Sequence, residues 1–282
     1  MVIDIHTHIF PDKIAEATLE KLRGKSHSKT FTDGTLLGLM ASMKKFGVDI
    51  SVILPVATKP TQVIKINDRA AQINEDFYNA GIISFASIHP DFEGYAVELS
   101  RVKNLGFKGI KIHPVYQGTD IDDKNFLRIF YRAAELDLIV LAHAGLDIGY
   151  PGVVRCTPKM SRHVVEEVGD FKFILAHMGG WKSWDEVLIE LADKNIFMDT
   201  AFSTGNIPAL DDGYYKPDEL KMLDEENFMK LYKIFGADRI IFGTDSPWTP
   251  PDMPMNFIKS LPISDIDKEK ILGGNAEELL GL

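Results

Sequence analysis

Short apolar runs alternate with helical segments eight times along the 282-residue chain. The runs predict strands at residues 2–8, 50–56, 82–88, 109–113, 138–143, 171–177, 196–200 and 239–245. Some, such as Leu138-Ile-Val-Leu-Ala142, are apolar throughout, which is typical of parallel strands covered on both faces. Repeated right-handed strand–helix crossovers close on themselves, so the pattern predicts an α/β fold, specifically a (β/α)8 TIM barrel.

The intervening segments carry apolar residues at helical spacing. They predict helices at residues 12–22, 35–46, 61–80, 92–105, 123–136, 159–168, 183–194 and 219–235. Residues 263–282 predict two short helices, the second capped at its start by Asn275. A doubly wound open sheet is the alternative, but no Gly-x-Gly-x-x-Gly follows any strand. Because no linker-like segment interrupts the alternation, we expect a single domain over residues 1–282.

Composition restricts the classes of partner. The formal net charge is −10, which disfavours nucleic acid and anionic membranes but leaves room for an anionic small molecule bound by local basic residues. The only cysteine, Cys156, excludes an intrachain disulfide. No apolar run is long enough to span a bilayer. The first strand is expected to begin at Val2, which leaves no room for a cleavable signal peptide. We therefore expect a cytoplasmic protein.

Polar residues cluster at the carboxyl ends of the predicted strands, where barrel enzymes place their active sites. Six of the eight histidines lie there, together with one lysine and one aspartate. In chain order these strand-end residues are His6, His8, His89, Lys111, His113, His143, His177 and Asp245. This placement predicts an active site at that end of the strands.

His6 and His8 lie on one face of the first strand, because side chains alternate with period two. Alone, this pair is explained equally well by a shared metal or by two half-exposed strand histidines. Three or four imidazoles converging with one carboxylate are the ligands of a divalent ion. Zinc is the default, with Mn²⁺ and Fe²⁺ as alternatives. Such an ion lowers the pKa of a bound water and polarises a carbonyl.

Four segments carry a resemblance to a known family. They are Asp4-Ile-His-Thr-His8, Ile174-Leu-Ala-His-Met-Gly-Gly180, Phe242-Gly-Thr-Asp-Ser-Pro-Trp248 and Ile271-Leu-Gly-Gly-Asn-Ala276. In this order they resemble the amidohydrolase superfamily, and within it the amidohydrolase-related branch that includes aminocarboxymuconate-semialdehyde decarboxylase. The resemblance extends from the first strand to the last helix.

The resemblance implies one metal ion held by four ligands, namely His6, His8, His143 and Asp245. It also implies that His177 stands beside the ion and orients or deprotonates a bound water. In the hydrolytic members of the superfamily the aspartate that follows the eighth strand shuttles a proton, and Asp245 would take that role here. A carboxylate in contact with metal and water is a suitable proton acceptor.

Lys111 stands about where binuclear members of the superfamily carry a bridging carboxylated lysine. If Lys111 were carboxylated, His143 and His177 would hold a second metal. The close branch is usually mononuclear, so we expect one ion. Lys111 and His113 then become candidate substrate contacts. Arg155 is a candidate for gripping a substrate carboxylate with both guanidinium nitrogens, although a solvated loop arginine fits equally well.

The resemblance leaves the reaction open between two chemistries on a small-molecule substrate. We expect metal-dependent hydrolysis of an amide, ester or lactone bond as the main activity. The alternative is non-oxidative decarboxylation of an aromatic or enoic carboxylate, which the same branch performs with the same ligands. A barrel that only binds a metal or metabolite is a third hypothesis, disfavoured by the intact ligand set. Relatives are often dimers, which suggests a homodimer.

Overall fold

The computed structural model describes residues 1–282, and its strands and helices alternate along the chain as predicted. The strands are β1 (Ile3–Thr7), β2 (Ile50–Ile53), β3 (Ile82–Ser84), β4 (Ala86–Ser87), β5 (Gly109–Ile112), β6 (Ile139–Ala142), β7 (Phe173–Leu175), β8 (Phe197–Asp199) and β9 (Ile240–Ile241). The helices are α1 (Asp12–Ser26), α2 (Leu36–Phe46), α3 (Val63–Phe77), α4 (Tyr95–Asn104), α5 (Pro114–Gln117), α6 (Lys124–Glu135), α7 (Pro158–Val168), α8 (Trp184–Glu190), α9 (Glu225–Phe235), α10 (Asp252–Ser260), α11 (Asp265–Glu269) and α12 (Asn275–Leu280). None of these helices combines the length and the apolar character that a bilayer span requires.

The third predicted strand is divided into β3 and β4 by Phe85, which explains nine strands where the sequence predicts eight. The backbone N–H of Phe85 donates to the carbonyl of Ile53, while Ala86 and Ser87 pair with β5. The segment thus pairs with the end of β2 at Phe85 and with β5 from Ala86 onwards. The Phe85 ring also fills the space where a Cβ of Gly109 would stand, so a larger residue at 109 would collide with it.

The chain folds into two compact units, neither of which is a continuous stretch of sequence. The first unit comprises residues 1–52, 147–151 and 199–282. The second unit comprises residues 53–146 and 152–198. The single domain over residues 1–282 stays a prediction.

In the first unit, β1 runs beside the chain that leads out of β9. The N–H of Ile5 donates to the carbonyl of Phe242 over 3.0 Å, and the N–H of Phe242 donates to the carbonyl of Ile271 over 2.8 Å. Ile3, Ile5 and Phe242 are fully buried, as their apolar side chains require. The end of β1 therefore lies against the segment 243–248 that carries Asp245.

In the second unit, β4 to β7 and the first residues of β8 form a parallel sheet in sequence order. All four residues of β6 are buried, which matches the continuous apolar run of the sequence. Helix α6 buries Phe126, Ile129, Phe130 and Ala133, spaced three or four residues apart on one face. The sheet is thus covered by helical side chains, as expected for parallel strands.

Helix α9 begins at Glu225, six residues after the predicted start at residue 219. The backbone of residues 204–206 bridges to that of residues 221–223, which holds the latter in an extended conformation. Asp224 then caps the helix, because its side chain accepts from the N–H of Asn227 over 2.9 Å. Long-range backbone pairing thus overrides the helical composition of residues 219–223.

One helix of the C-terminal region was not predicted, and one prediction for this region is wrong. Helix α10 contains Pro254 in its first turn, where the missing N–H of proline costs nothing. Asn275 is not a cap: it continues from a π-helical turn, and its side chain donates to the carbonyls of Ala237 and Ile240 at 2.7 and 2.8 Å. Asn275 therefore anchors the last helix to the region before β9.

Gly145 follows β6 in the second unit and permits a backbone contact that no other residue would. Its φ is +84°, and a Cβ there would stand 2.6 Å from the carbonyl oxygen of Trp181. Gly152 has a similar φ of +82° with no atom within 4 Å of its Cβ position. We expect Gly145→Ala to lower the free energy of unfolding by about 1–3 kcal/mol more than Gly152→Ala, measured by urea denaturation. Equal losses would show that the contact with Trp181 is unimportant.

Cys156 lies in the second unit, where burial raises the pKa of its thiol to about 12. Only about one molecule in ten thousand is then a thiolate at pH 8, and the thiolate is the reactive form. We expect the native protein to react with a disulfide reagent only slowly, and to titrate one thiol per chain promptly in denaturant. Rapid reaction of the native protein at pH 8 would contradict this environment.

Candidate metal centre

Strand β1 presents two histidines from the same face. His6 lies within the strand and is fully buried, while His8 follows its end and is partly exposed. The N–H of His8 donates to the carbonyl of Ser246 over 2.7 Å, so the strand end is tied to the segment after β9. The period-two alternation of the strand therefore sets both imidazoles on the same face of β1.

The two imidazoles meet the carboxylate of Asp245. The Nε2 atoms of His6 and His8 are 3.2 Å apart, and the Oδ1 atom of Asp245 lies 3.5 Å from the first and 3.2 Å from the second. These three atoms are close enough to share one metal ion. We call His6, His8 and Asp245 the donor triad.

The chemistry of the donor triad fits a divalent cation. Imidazole nitrogen and carboxylate oxygen are common ligands of zinc and of other first-row divalent ions. With ligand bonds of about 2.1 Å, donor atoms around one ion lie about 3.0–3.4 Å apart. Two of the three separations within the triad, both 3.2 Å, fall in this range, and the third, 3.5 Å between His6 and Asp245, lies just above it. Three of the four ligands implied by the resemblance thus meet in the first unit.

Asp245 is fixed by its backbone. Its N–H donates to the carbonyl of His6 over 2.8 Å, and its φ of +61° lies in the left-handed region that aspartate and asparagine tolerate better than most residues. The neighbouring Thr244 donates from both its N–H and its hydroxyl to the carboxylate of Asp4. The segment carrying Asp245 is therefore attached to β1 on both sides of His6.

Asp4 is a buried hydrogen-bonding group beneath the donor triad. Its carboxylate accepts from the N–H of His6 at 3.1 Å, from the N–H of Thr244 at 3.0 Å and from the hydroxyl of Thr244 at 2.6 Å. Burial raises the pKa of Asp4 to about 7, although the three hydrogen bonds act in the opposite direction. Its contacts identify Asp4 as a support for the backbone around the triad.

Asp199 is a functional candidate that the sequence analysis missed. It is the last residue of β8 and is fully buried, and its Oδ2 atom lies 2.8 Å from Nδ1 of His6. The rule that polar strand-end residues mark the site would have found it, because residues 197–200 end in Asp-Thr. The carboxylate contacts the side of the His6 ring opposite the donor triad.

In the second unit, the strand-end histidines also meet. Nε2 of His177 lies 3.0 Å from Nδ1 of His143, and the ring of His113 stacks on that of His143 with centroids 4.2 Å apart. His177 has a φ of +61°, and its carbonyl accepts from the indole N–H of Trp184 over 3.1 Å. The turn after β7 therefore fixes the backbone of His177, while the hydrogen bond fixes its ring relative to His143.

The end of β5 carries Lys111 and His113, both buried. The N–H of His113 donates to the side-chain oxygen of Gln117, whose nitrogen donates to the carbonyls of Ala57 and Ile88. Gln117 thus holds the strand end by three hydrogen bonds. Lys111 is fully buried, which is rare for lysine and is typical of residues with a paired or functional role.

Arg155 already has a carboxylate partner within the second unit. Its Nη1 atom lies 2.9 Å from Oδ1 of Asp120, and its side chain is about one-third exposed. To bind a substrate carboxylate, the guanidinium of Arg155 would need to leave Asp120 or to bind Asp120 and the substrate at the same time. Its role in substrate binding stays a prediction.

The family follows from a match over nearly the whole chain. Residues 3–282 match the model of the Amidohydro_2 family, described as amidohydrolase. The chain belongs to this family and is an enzyme of the amidohydrolase superfamily, as the strand-end motifs predict.

The relatives define the fold as well. The chain is 25% identical to 2-amino-3-carboxymuconate-6-semialdehyde decarboxylase of Dictyostelium discoideum, over 99% of this chain and 91% of that protein. It superposes on a TIM-barrel protein of Bordetella bronchiseptica with a TM-score of 0.73 at 15% identity, covering 99% and 98% of the two chains. It also superposes on a dihydroxybenzoic acid decarboxylase of Polaromonas sp. JS666, solved with manganese and the inhibitor 2-nitroresorcinol, with a TM-score of 0.67 at 17% identity, covering 100% and 97%. The predicted (β/α)8 barrel is confirmed.

The prediction of hydrolysis as the main reaction is wrong. The Dictyostelium discoideum relative and the Polaromonas structure are both decarboxylases, which supports the alternative instead. The error has a physical reason, since the strand-end residues identify the ligands of a metal but not the bond that breaks. The resemblance implies the same ligand set for hydrolysis and for decarboxylation, so His6, His8 and Asp245 do not distinguish the two reactions.

Proposed function

We propose that this protein is a metal-dependent, non-oxidative decarboxylase of an aromatic or enoic carboxylate. The observation that carries the proposal is the donor triad, in which two imidazole nitrogens and one carboxylate oxygen lie within 3.5 Å of one another. A relative that matches 99% of this chain is itself a decarboxylase. An intact donor triad in such a chain supports retention of the same chemistry.

The proposed metal centre holds one divalent ion. The donor triad supplies three ligands, and the resemblance supplies His143 as the fourth. Manganese is present in several structural neighbours, and zinc is the other candidate for this donor set. A bound divalent ion would neutralise negative charge on the substrate and draw electron density away from the bond that breaks. A second ion bridged by carboxylated Lys111 is not required by this proposal.

Decarboxylation breaks the bond between the substrate carbon and its carboxylate, and the electron pair stays on that carbon. The carbon must then receive one proton, so that the products are CO₂ and the protonated substrate carbon. Asp245 is the proposed proton carrier, because its carboxyl group is partly exposed and lies at the donor triad. In its protonated form it would deliver that proton.

His177 is the second proposed catalytic residue. Its hydrogen bond to Nδ1 of His143 orients the two rings relative to each other. Lys111 and His113, at the end of β5, are proposed substrate contacts, since a cationic or hydrogen-bonding group suits an anionic substrate. Arg155 would join them only by exchanging its bond to Asp120 for one to the substrate.

The test is a set of candidate carboxylates incubated with the metal-loaded protein in deuterated buffer. The set includes dihydroxybenzoates and 2-amino-3-carboxymuconate-6-semialdehyde, the compounds named for the relatives. We expect release of one CO₂ and gain of one deuterium at the vacated carbon, measured by mass spectrometry. If no aromatic or enoic carboxylate loses CO₂ while the protein carries one ion per chain, the proposal fails.

A small-molecule substrate suits this chemistry. The homodimer implied by the resemblance is a separate proposal, which light scattering of the purified protein tests directly. The cytoplasmic location expected from the sequence stays a prediction.

A further inference from the structure

One ring nitrogen of His6 faces the donor triad, and the other faces a carboxylate. Nδ1 of His6 lies 2.8 Å from Oδ2 of Asp199, and both residues are buried. The other carboxylate oxygen, Oδ1, accepts from the backbone N–H of Ala201 over 3.1 Å. Because an ionised carboxylate only accepts hydrogen bonds, the hydrogen between the two side chains belongs on Nδ1 of His6.

This arrangement determines the tautomer of His6. A neutral imidazole with its hydrogen on Nδ1 presents a lone pair on Nε2. Nε2 is the atom that lies 3.2 Å from Nε2 of His8 and 3.5 Å from Oδ1 of Asp245. The contact with Asp199 thus prepares the nitrogen that a metal ion would bind.

The backbone around Asp199 is built to keep this contact. The hydroxyl of Thr200, the next residue, donates to the carbonyl of Gly243 and accepts from the N–H of Gly243, both over 3.0 Å. A Cβ at Gly243 would stand 3.0 Å from Cβ of His6 and 3.5 Å from Cβ of Asp199. Glycine at 243 therefore leaves the space in which the strand ends carrying His6 and Asp199 approach each other.

We infer that Asp199 is a positioning residue for the metal centre, which orients His6 and selects its metal-binding tautomer. The inference rests on the proposed metal centre but adds a residue outside the four-ligand set. Carboxylates that bind the second nitrogen of a ligating histidine strengthen metal binding, and their loss commonly weakens it about 10–100-fold. Asp199 acts through His6 and contacts neither the substrate nor the ion.

The first test uses the metal-free wild-type protein. Long-range ¹H–¹⁵N correlation spectra of histidine rings distinguish the two neutral tautomers, and the chain has only eight histidines. The signal of His6 is assigned by its absence in His6→Gln. We expect the pattern of a ring protonated at Nδ1. A ring protonated at Nε2 would overturn the inference, whatever the variants show.

The second test compares Mn²⁺ and Zn²⁺ affinity by competition with a chelator in wild type, Asp199→Asn and Asp212→Asn. Asp212 is the matched control, because its Oδ2 atom lies 2.7 Å from Nδ1 of His27 at the surface. We expect affinity to fall about 10–100-fold in Asp199→Asn and to stay unchanged in Asp212→Asn. Circular dichroism and thermal unfolding establish that each variant is folded.

The outcomes separate this inference from the proposed function. If wild type binds either ion and Asp199→Asn binds it equally well, the role of Asp199 is overturned while the metal centre stands. If wild type binds neither ion, the metal centre itself is overturned, and Asp199 with it. If Asp199→Asn does not fold, the tautomer of His6 in the wild-type protein decides whether the role of Asp199 stands.

Discussion

Asp245→Asn is expected to lower kcat by about 10²–10⁴-fold while leaving the fold intact. The substitution removes the acidic proton that Asp245 is proposed to deliver, and general acid–base groups commonly contribute rate factors of this size. The backbone conformation should survive, because asparagine tolerates the left-handed φ of +61° as well as aspartate does. The backbone hydrogen bond from residue 245 to His6 is also retained. Turnover is measured at saturating Mn²⁺, so that weaker metal binding does not contribute.

The chain offers a matched control for this substitution. Asp137 also has a left-handed backbone, with a φ of +50°, and its side chain is exposed and paired with Lys172 at 2.8 Å. Asp137→Asn makes the same chemical change at a comparable backbone position and should leave kcat unchanged. Full activity of Asp245→Asn with metal bound would remove Asp245 from the proposed mechanism.

Removal of the metal is expected to abolish decarboxylation completely and reversibly. After dialysis against a chelator, activity should return when Mn²⁺ or Zn²⁺ is added back. An ion that binds only the folded state also stabilises it, by about 2.7 kcal/mol at a concentration one hundred times its Kd. We therefore expect the metal to raise the midpoint of thermal unfolding as well as to restore activity.

His6→Ala and His163→Ala provide the comparison for both readouts. His6 belongs to the donor triad, so its loss should abolish the stabilisation by metal and the recovery of activity. His163 is a half-exposed histidine paired with Asp122 at 3.1 Å, and its variant should respond to metal as wild type does. Undiminished stabilisation of His6→Ala would place the ion elsewhere on the protein.

The fold was predictable because its signals are local. Apolar runs and helical spacing indicated every strand region, and the strand-end rule selected His6, His8 and Asp245 before any geometry was known. What the sequence could not indicate depends on distant contacts. The division of the third strand at Phe85 follows from a change of neighbouring strand, and the late start of α9 follows from backbone bridges to residues 204–206.

The candidate site shows the same limit. The pairing of Asp199 with His6 joins residues that are 193 positions apart, so no local spacing reveals it. Arg155 was attractive as a free cation in a loop, but the structure supplies it with Asp120. The reaction itself was mispredicted, because metal ligands are encoded at strand ends while the selection of the bond depends on the whole pocket. Decarboxylation was the alternative that the resemblance left open, and the relatives favour it over hydrolysis.

The most direct measurement is the rate of CO₂ release from a carboxylate substrate of this protein as a function of metal bound per chain. Metal-free protein is loaded stepwise with Mn²⁺, and each sample is analysed for metal content and for CO₂ from a ¹³C-carboxyl substrate. A metal-dependent decarboxylase with one ion should show release that rises linearly and levels off at one ion per chain. Release that is absent at every loading, or that is undiminished without metal, would contradict the proposed function.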